Sequence, residues 1–269
     1  SNVYFMLGDD EVWTSNGIDD QGTILIHRFR SGTESSDPDR FATVLTDKVV
    51  FAAISPGEGV EPWITDGTPE GTQLLSDIAA GAANSNPSDF TAADANRFFF
   101  TATNSSFGQE LYVADAGGAS LLKNISESGS SGASNLFWHT NTNSLFFAAA
   151  AGVNNTELWK SDGTEAGTLL LKDLNGGSLN NPESVGSNPA GFVAIGGTVY
   201  FTATNFSTGR ELYKTDGTAA NTTIVKDISA AGQNSANPEE LVVMPATGSS
   251  RRLYFVANGS GGLNGSQDT

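Results

Sequence analysis

Short apolar runs separated by clusters of Gly, Asn, Asp, Ser and Pro recur along the whole chain. One stretch shows the pattern plainly: Phe192 to Ile195, Val199 to Thr204, Glu211 to Thr215 and Thr223 to Ile228. Runs this short, rich in Val, Ile, Phe, Tyr and Thr, predict strands, and the turn clusters come too often for helices. Gly196-Gly197 between the first two runs predicts a tight hairpin, because glycine reaches positive φ without steric cost. Asp216-Gly217-Thr218 between the last two predicts an Asx turn that opens a longer loop.

The pattern repeats. Glu157-Leu158-Trp159-Lys160-Ser161-Asp162-Gly163-Thr164 returns as Glu211-Leu212-Tyr213-Lys214-Thr215-Asp216-Gly217-Thr218 and as Glu61-Pro62-Trp63-Ile64-Thr65-Asp66-Gly67-Thr68. Weaker copies begin at Glu11 (with Trp13) and at Glu110 (with Tyr112). The aromatic slot therefore recurs at spacings of 50, 49, 47 and 54 residues. An apolar triplet ending at Phe5, Phe51, Phe100, Phe147, Phe201 or Phe255 precedes each copy, and in four of them the Glu lies 10 residues after the Phe. A Gly-Thr-led apolar run follows the motif, then an Asp/Asn-Pro loop, then an apolar residue at Phe41, Phe90, Phe192 or Leu241. The units fall near 1–40, 41–89, 90–135, 136–190, 191–240 and, in part, 241–269, which gives five full repeats and part of a sixth within one repeat domain.

Four short strands every ~50 residues describe the blade of a β-propeller. One four-stranded sheet cannot cover both of its apolar faces, whereas stacked blades cover one another. The fold class expected is all-β, a propeller of four-stranded blades; an open β repeat array is the alternative. The motif itself resembles the ELWxxDGT repeat of large bacterial secreted and surface proteins. The copy at 157–164 matches that signature at every defined position, the copies at 211–218 and 61–68 depart at Tyr213 and Pro62, and Asn16 replaces the Asp in the first copy. The resemblance covers essentially the whole chain and implies a propeller-like scaffold in an exported, extracellular or cell-surface bacterial protein, with no shared catalytic activity. The sixth copy breaks off after Phe255, and Gly265 stands where the next Glu would fall, so a fragment of something longer is expected.

Composition narrows the partners. The formal net charge is −17, which repels phosphate backbones and anionic membrane surfaces. There is no cysteine, hence no disulfide, thiolate metal site or cysteine nucleophile. The longest apolar stretch, Leu145 to Ala151, is far shorter than the roughly 20 residues of a membrane helix.

The repeated carboxylates Glu11, Glu61, Glu110, Glu157 and Glu211 each stand two positions before an aromatic, on the same face of a strand. They read either as a ring of acids for a cation or sugar, or as structural acceptors for backbone N–H groups of the adjacent loop. Recurrence in every copy favours the structural role. Asp66, Asp162 and Asp216, with Gly67, Gly163 and Gly217, read as Asx turns. Calcium at acidic segments such as Asp9-Asp10-Glu11 or Asp19-Asp20 is the one cofactor considered, against an expectation of none. The aromatics Trp13, Trp63, Tyr112, Trp159 and Tyr213 read as inter-blade core, and His27 and His139 as peripheral strand residues. No catalytic or metal-binding motif is present. The function expected is a non-enzymatic module whose loops serve adhesion, surface assembly or protein contact, with protein or surface polysaccharide as partner. A lectin-like or calcium-dependent carbohydrate binder is the alternative, and a polysaccharide-acting enzyme stands behind both. The turn reading is testable: Gly163→Val should lower the melting temperature more than Ser161→Ala, and equal melting temperatures would refute it.

Overall fold

The computed structural model describes residues 3–7, 11–18, 20–29, 38–127, 129–152, 155–176, 186–229, 235–244 and 251–259. Among them there is no α-helix, only strands and two short 3-10 turns at Asp20–Gly22 and Thr140–Thr142. The first sheet holds β1 (Val3–Leu7), β2 (Glu11–Ser15) and β3 (Thr23–Arg28). The second holds β4 (Asp39–Leu45), β5 (Lys48–Ser55), β6 (Gly59–Thr65) and β7 (Gln73–Leu74). The third holds β8 (Ser88–Asp94), β9 (Arg97–Asn104), β10 (Gly108–Asp115) and β11 (Gly118–Lys123). The fourth holds β12 (Ser134–His139), β13 (Ser144–Ala150), β14 (Thr156–Ser161) and β15 (Leu169–Lys172). The fifth holds β16 (Ala190–Ile195), β17 (Thr198–Asn205), β18 (Gly209–Thr215) and β19 (Thr223–Lys226), and the sixth β20 (Glu239–Met244) and β21 (Arg252–Val256). All pairings are antiparallel between chain neighbours. Sheets of this order and size are β-propeller blades.

One register runs through the blades. The triplet Phe pairs with the motif aromatic in five sheets: Phe5 with Trp13, Phe51 with Trp63, Phe100 with Tyr112, Phe147 with Trp159 and Phe201 with Tyr213. Two residues along, a small residue faces the glutamate, as in Ala53–Glu61, Ala102–Glu110, Ala149–Glu157 and Ala203–Glu211. The innermost strand adds a third ring to the ladder. Phe41 stacks on Phe51 at 5.1 Å between centroids, Phe90 lies 5.4 Å from Phe100, and Phe192 stacks on Phe201 at 5.4 Å. The hairpin expected at Gly196-Gly197 is present, with Gly196 at φ +60° and Ile195 paired to Thr198.

The chain forms two compact units, Ser1–Ser131 and Gly132–Thr269. In the first, one core packs Val12, Ile26 and Phe29 against Phe51, Ala53 and Trp63. A second packs the other face of the same sheet, through Val50 and Ile64, against Phe98, Phe100 and Tyr112. Adjacent residues of β5, Val50 and Phe51, thus serve opposite cores, as period-2 geometry requires. In the second unit Phe146, Leu158, Leu171 and Leu174 meet Val199, Phe201 and Tyr213. Full burial of a Phe such as Phe100 contributes about 2–3 kcal/mol.

The first strand of each of the last five sheets carries a bulge, between Asp39 and Ala42, Ser88 and Thr91, Ser134 and Phe137, Ala190 and Val193, and Glu239 and Val242. Inside each bulge one residue adopts positive φ: Arg40, Asp89, Asn135, Gly191 and Glu240, at +53 to +67°. Only one of the five is glycine, so the other four bear a left-handed conformation that costs about 1 kcal/mol. Arg40 is exposed and among the described residues pairs only with Asp39, in an exposed ion pair, and such pairs contribute little. Arg40→Gly should therefore raise the melting temperature by about 1–3 °C; a lower melting temperature would contradict strain at this bulge.

Candidate functional site

The repeated glutamates of four blades are 0% exposed. Each carboxylate accepts hydrogen bonds from the linker that leads out of its blade. Glu61 Oε2 takes the N–H of Ile78 at 2.9 Å, and its Oε1 takes those of Ala79 at 3.3 Å and Ser85 at 3.1 Å. Glu110 holds Ile125, Ser126 and Ser131 at 3.1, 3.2 and 3.1 Å. Glu157 accepts from Leu174 N–H and Ser187 N–H, both at 2.9 Å, and from the Ser187 hydroxyl at 2.6 Å. Glu211 accepts from Ile228 and Ala236, both at 3.1 Å.

Five of the clamped peptides, those of Glu61, Glu157 and Glu211 at Ile78, Ser85, Leu174, Ser187 and Ala236, are gripped from their other side by the next blade. The Ile78 carbonyl accepts Asn104 Nδ2–H at 2.7 Å, and the Leu174 carbonyl accepts Asn205 Nδ2–H at 2.5 Å. The Ser85, Ser187 and Ala236 carbonyls accept the N–H groups of Thr103, Thr204 and Asn258 at 2.6 to 2.7 Å. Asn104 and Asn205 fit the Asn-x-Ser/Thr glycosylation pattern in the sequence, yet their amides are committed to this clasp. The recurring Thr-Ala-Thr-Asn at 101–104 and 202–205 is the signal that could have found them.

Glu11 differs. It is partly exposed, accepts Trp13 Nε1–H at 2.9 Å and pairs with Arg28. Its carboxyl is held below the usual range by Trp13 and Arg28. Burial instead pushes Glu61, Glu110 and Glu157 up, against the downward pull of their hydrogen bonds. Tyr112, buried and beside the Glu110 and Glu61 charges, is pushed up to about 12. Trp63, Tyr112, Trp159 and Tyr213 are buried, while Trp13 is half-buried.

The Asp-Gly-Thr turns are closed by a fixed set of bonds. Oδ1 of Asp66, Asp162 and Asp216 accepts both N–H and hydroxyl of Thr68, Thr164 and Thr218, at 2.9–3.0 and 2.7 Å. Gly67, Gly163 and Gly217 stand at φ +89, +92 and +91°. Thr68 holds the Asp66 carboxyl, and Thr218 with Asn221 the Asp216 carboxyl, below the usual range. Behind each turn runs a hydroxyl relay. Gly163 N–H donates to Ser161 Oγ at 3.0 Å, Ser161 and Thr168 hydroxyls meet at 2.8 Å, and Thr168 donates to the Thr164 carbonyl at 2.7 Å. Thr168 spends its proton on that carbonyl, so Ser161 must donate to Thr168. The same relay links Thr65 with Thr72 and Thr215 with Thr222. Ser161 is therefore an anchor of the turn and not a spacer, which the sequence did not reveal.

In the third copy Asp115 pairs with Gly118 across a two-residue tip and accepts the Gly117 N–H at 2.7 Å. His139 corrects the peripheral expectation: it is buried, its Nε2 faces the Gly196 carbonyl at 2.9 Å and its Nδ1 the Thr142 hydroxyl at 2.9 Å. A carbonyl only accepts, so Nε2 carries the proton. Asp9, Asp10 and Asp19, considered for calcium, lie outside the described residues, as does most of the loop from Asn175 to Asn188. Among the described residues no group of three His, Asp or Glu is placed to hold a metal ion, and no helix is long and apolar enough to cross a membrane.

No family model matches the chain, and no curated protein matches it. Among solved structures it is similar to a puromycin-hydrolyzing peptidase of Mycobacterium tuberculosis, at 11% identity and TM-score 0.49, over 90% of this chain and 40% of that one. It is similar to TolB from Acinetobacter baumannii at 16% identity and TM-score 0.40, over 80% of this chain and 48% of that one. The computationally designed Ika8 protein gives 15% identity and TM-score 0.47, over 95% and 68%. The chain spans less than half the length of the peptidase and of the TolB protein.

Buried glutamates with raised pKa bind protons more tightly folded than unfolded. Their contribution is full below the ordinary carboxylate value of about 4.3 and is lost as pH rises through the folded value. The melting temperature should thus be higher at pH 5 than at pH 7.5. Glu157→Gln should shrink that difference while lowering stability by about 1–3 kcal/mol, because one amide oxygen cannot satisfy all the donors. An unchanged pH slope in the variant would contradict the assignment.

Proposed function

We propose that this chain is a non-enzymatic, extracellular binding module of a bacterial protein of the ELWxxDGT-repeat kind, presenting hairpin loops to a protein partner. The observation that carries the reading is where the repeated chemistry goes. In four blades the carboxylates and aromatics that recur are consumed inside the fold, so the repeated motif offers nothing to a substrate. What the surface offers instead are loop tips that differ from blade to blade.

The hairpin joining β17 and β18 is the best-presented of these. Asn205 Oδ1 accepts the Ser207 N–H at 2.9 Å while its amide is clasped, which fixes the tip and leaves Phe206 72% exposed. A large apolar side chain on a preordered turn loses little entropy on binding and suits an interface anchor. The net charge of −17 favours a basic partner surface, whose association would slow as salt rises.

The test is retention of proteins from a bacterial surface-protein fraction by the immobilised chain, with Phe206→Ser as comparison. Retention that falls in the variant at unchanged melting temperature, and weakens with salt, supports the reading. Retention indifferent to Phe206 would sink it. Binding on a glycan array together with a calcium-raised melting temperature would replace it with the carbohydrate reading, since a ligand of the native state must stabilise it. Turnover of a peptide or polysaccharide would overturn the non-enzymatic part.

A further inference from the structure

The third blade breaks the repeat at one end of its sheet. In the second, fourth and fifth blades the motif Asp commits Oδ1 to both the N–H and the hydroxyl of the Thr two residues on. Asp115 holds that register in the third blade, but Ala116-Gly117 follows and β11 begins at once. The relay hydroxyl of Ser161 is replaced as well, by Ala114. Asp115 accepts one N–H, from Gly117 at 2.7 Å, where its counterparts accept at least two donors. In place of the long turn a hollow of about 220 Å³ stands at this end of the sheet, and its lining includes Asn96, Arg97, Val113, Asp115, Gly118 and Ser120. All of these residues belong to the first compact unit.

The second blade shows what the motif carboxylate does with a cation in reach. Lys48, the first residue of β5, pairs with Asp66 at 3.3 Å. Arg97, the first residue of β9, has the same place in the third blade, yet it turns to its own hairpin. Its Nε and Nη2 both lie 3.2 Å from Asp94 Oδ2, and the guanidinium stands 5.6 Å from the centre of the Phe99 ring. Asp94 also fixes the tip, accepting the Asn96 N–H on Oδ1 at 2.9 Å. Asp94 and Arg97 thus form a neutral, held pair, and among the described residues no ion pair includes Asp115.

We propose that this hollow receives a lysine or arginine side chain of a protein partner, with Asp115 as the ion-pairing group. Val113 walls the methylene stem, and the Ser120 hydroxyl and Asn96 amide stand exposed at the rim as neutral hydrogen-bonding groups. The size fits: sites that enclose whole small ligands run to roughly 300–1,000 Å³, and this one, at about 220 Å³, suits a single side chain. The sign fits as well. Asp94 and Arg97 cancel, Asp115 leaves a negative charge, and the field of a chain at −17 draws cations. An incoming carboxylate would have to pass Asp115 to reach an arginine that Asp94 already holds. Both hairpin tips are ordered by their own aspartates, so little entropy is lost on binding. Resting on the reading of the chain as a protein-binding module, this adds a second contact, chemically unlike Phe206.

The test titrates the whole chain with N-acetyl-arginine amide and N-acetyl-lysine amide and follows the backbone amide resonances. N-acetyl-norleucine amide and N-acetyl-aspartate amide serve as controls. The cationic probes should shift the amides of Asn96, Gly117 and Gly118 saturably, and less as salt rises; the controls should not. Asp115→Asn keeps an oxygen for the Gly117 N–H, as Asn16 does for Ile18. It should leave the melting temperature unchanged and weaken the cationic probes about fivefold. Ser120→Phe, which fills the hollow from an exposed position on β11, should abolish the same shifts. No shift with any probe, equal shifts with norleucine, shifts with the aspartate probe instead, or undiminished affinity in Asp115→Asn would overturn the proposal. The probes need no partner, so failure here leaves Phe206-dependent retention standing, and loss of that retention leaves this titration unaffected.

Discussion

A carboxylate buried without a cation beside it is the constraint on which the blade-to-blade geometry depends. Removing such a charge from water costs several kcal/mol. Two or three charge-assisted hydrogen bonds, each contributing about 1.5–3 kcal/mol, roughly offset that cost. The net gain in stability is therefore small, and what the arrangement supplies is position. Apolar stacking of Phe51, Phe100, Phe146 and Phe201 is non-directional and tolerates sliding. A carboxylate holding Ile78 and Ser85, or Leu174 and Ser187, does not. Those four peptides are also bonded by the blade that follows, so Glu61 and Glu157 each tie the register of two sheets.

The parts of this design that were legible in the sequence are those that demand a particular side chain. The Phe slot, the motif aromatic and the glutamate recur because each fills a defined space, and their fixed offset already sets the hairpin register. That each glutamate serves loop N–H groups was legible too, but which ones was not, because a backbone N–H has no residue signature: Ile78, Ile125, Leu174 and Ile228 look like ordinary core residues. The left-handed bulge escaped for the same reason, since Arg40, Asp89, Asn135, Gly191 and Glu240 share a conformation and no chemistry. Asn104 and Asn205 were visible but were hidden by a competing pattern. The relay of Ser161 and Thr168 spans seven positions of loop, where sequence reasoning had no expectation of contact.

Departures from the consensus have local causes. Pro62 has no N–H to give, so β7 shrinks to two residues, yet its carbonyl still accepts Leu75 N–H at 2.8 Å. Asn16 offers an amide oxygen where the other copies have a carboxylate, and it accepts the Ile18 N–H at 2.8 Å just as well. Asp115 closes a short hairpin in place of the long turn, so Ala116 follows it where the other copies have glycine, and the threonine is not needed. Each substitution keeps the bond that the backbone requires and drops what the shorter connection does not use.

The clamp also decides where the fold can vary. From glutamate to its first anchor the separation is 17 residues in three blades and 15 in the other. To the second anchor it is 24, 21, 30 or 25. Nearly all the length variation thus falls between two peptides pinned to one carboxylate. Closing a longer loop costs only about 0.6 kcal/mol per doubling of its length, and its ends are already fixed, so residues added there leave the blades undisturbed. A buried acid that contributes little to stability thereby lets the chain diversify its surface without altering the stack beneath it.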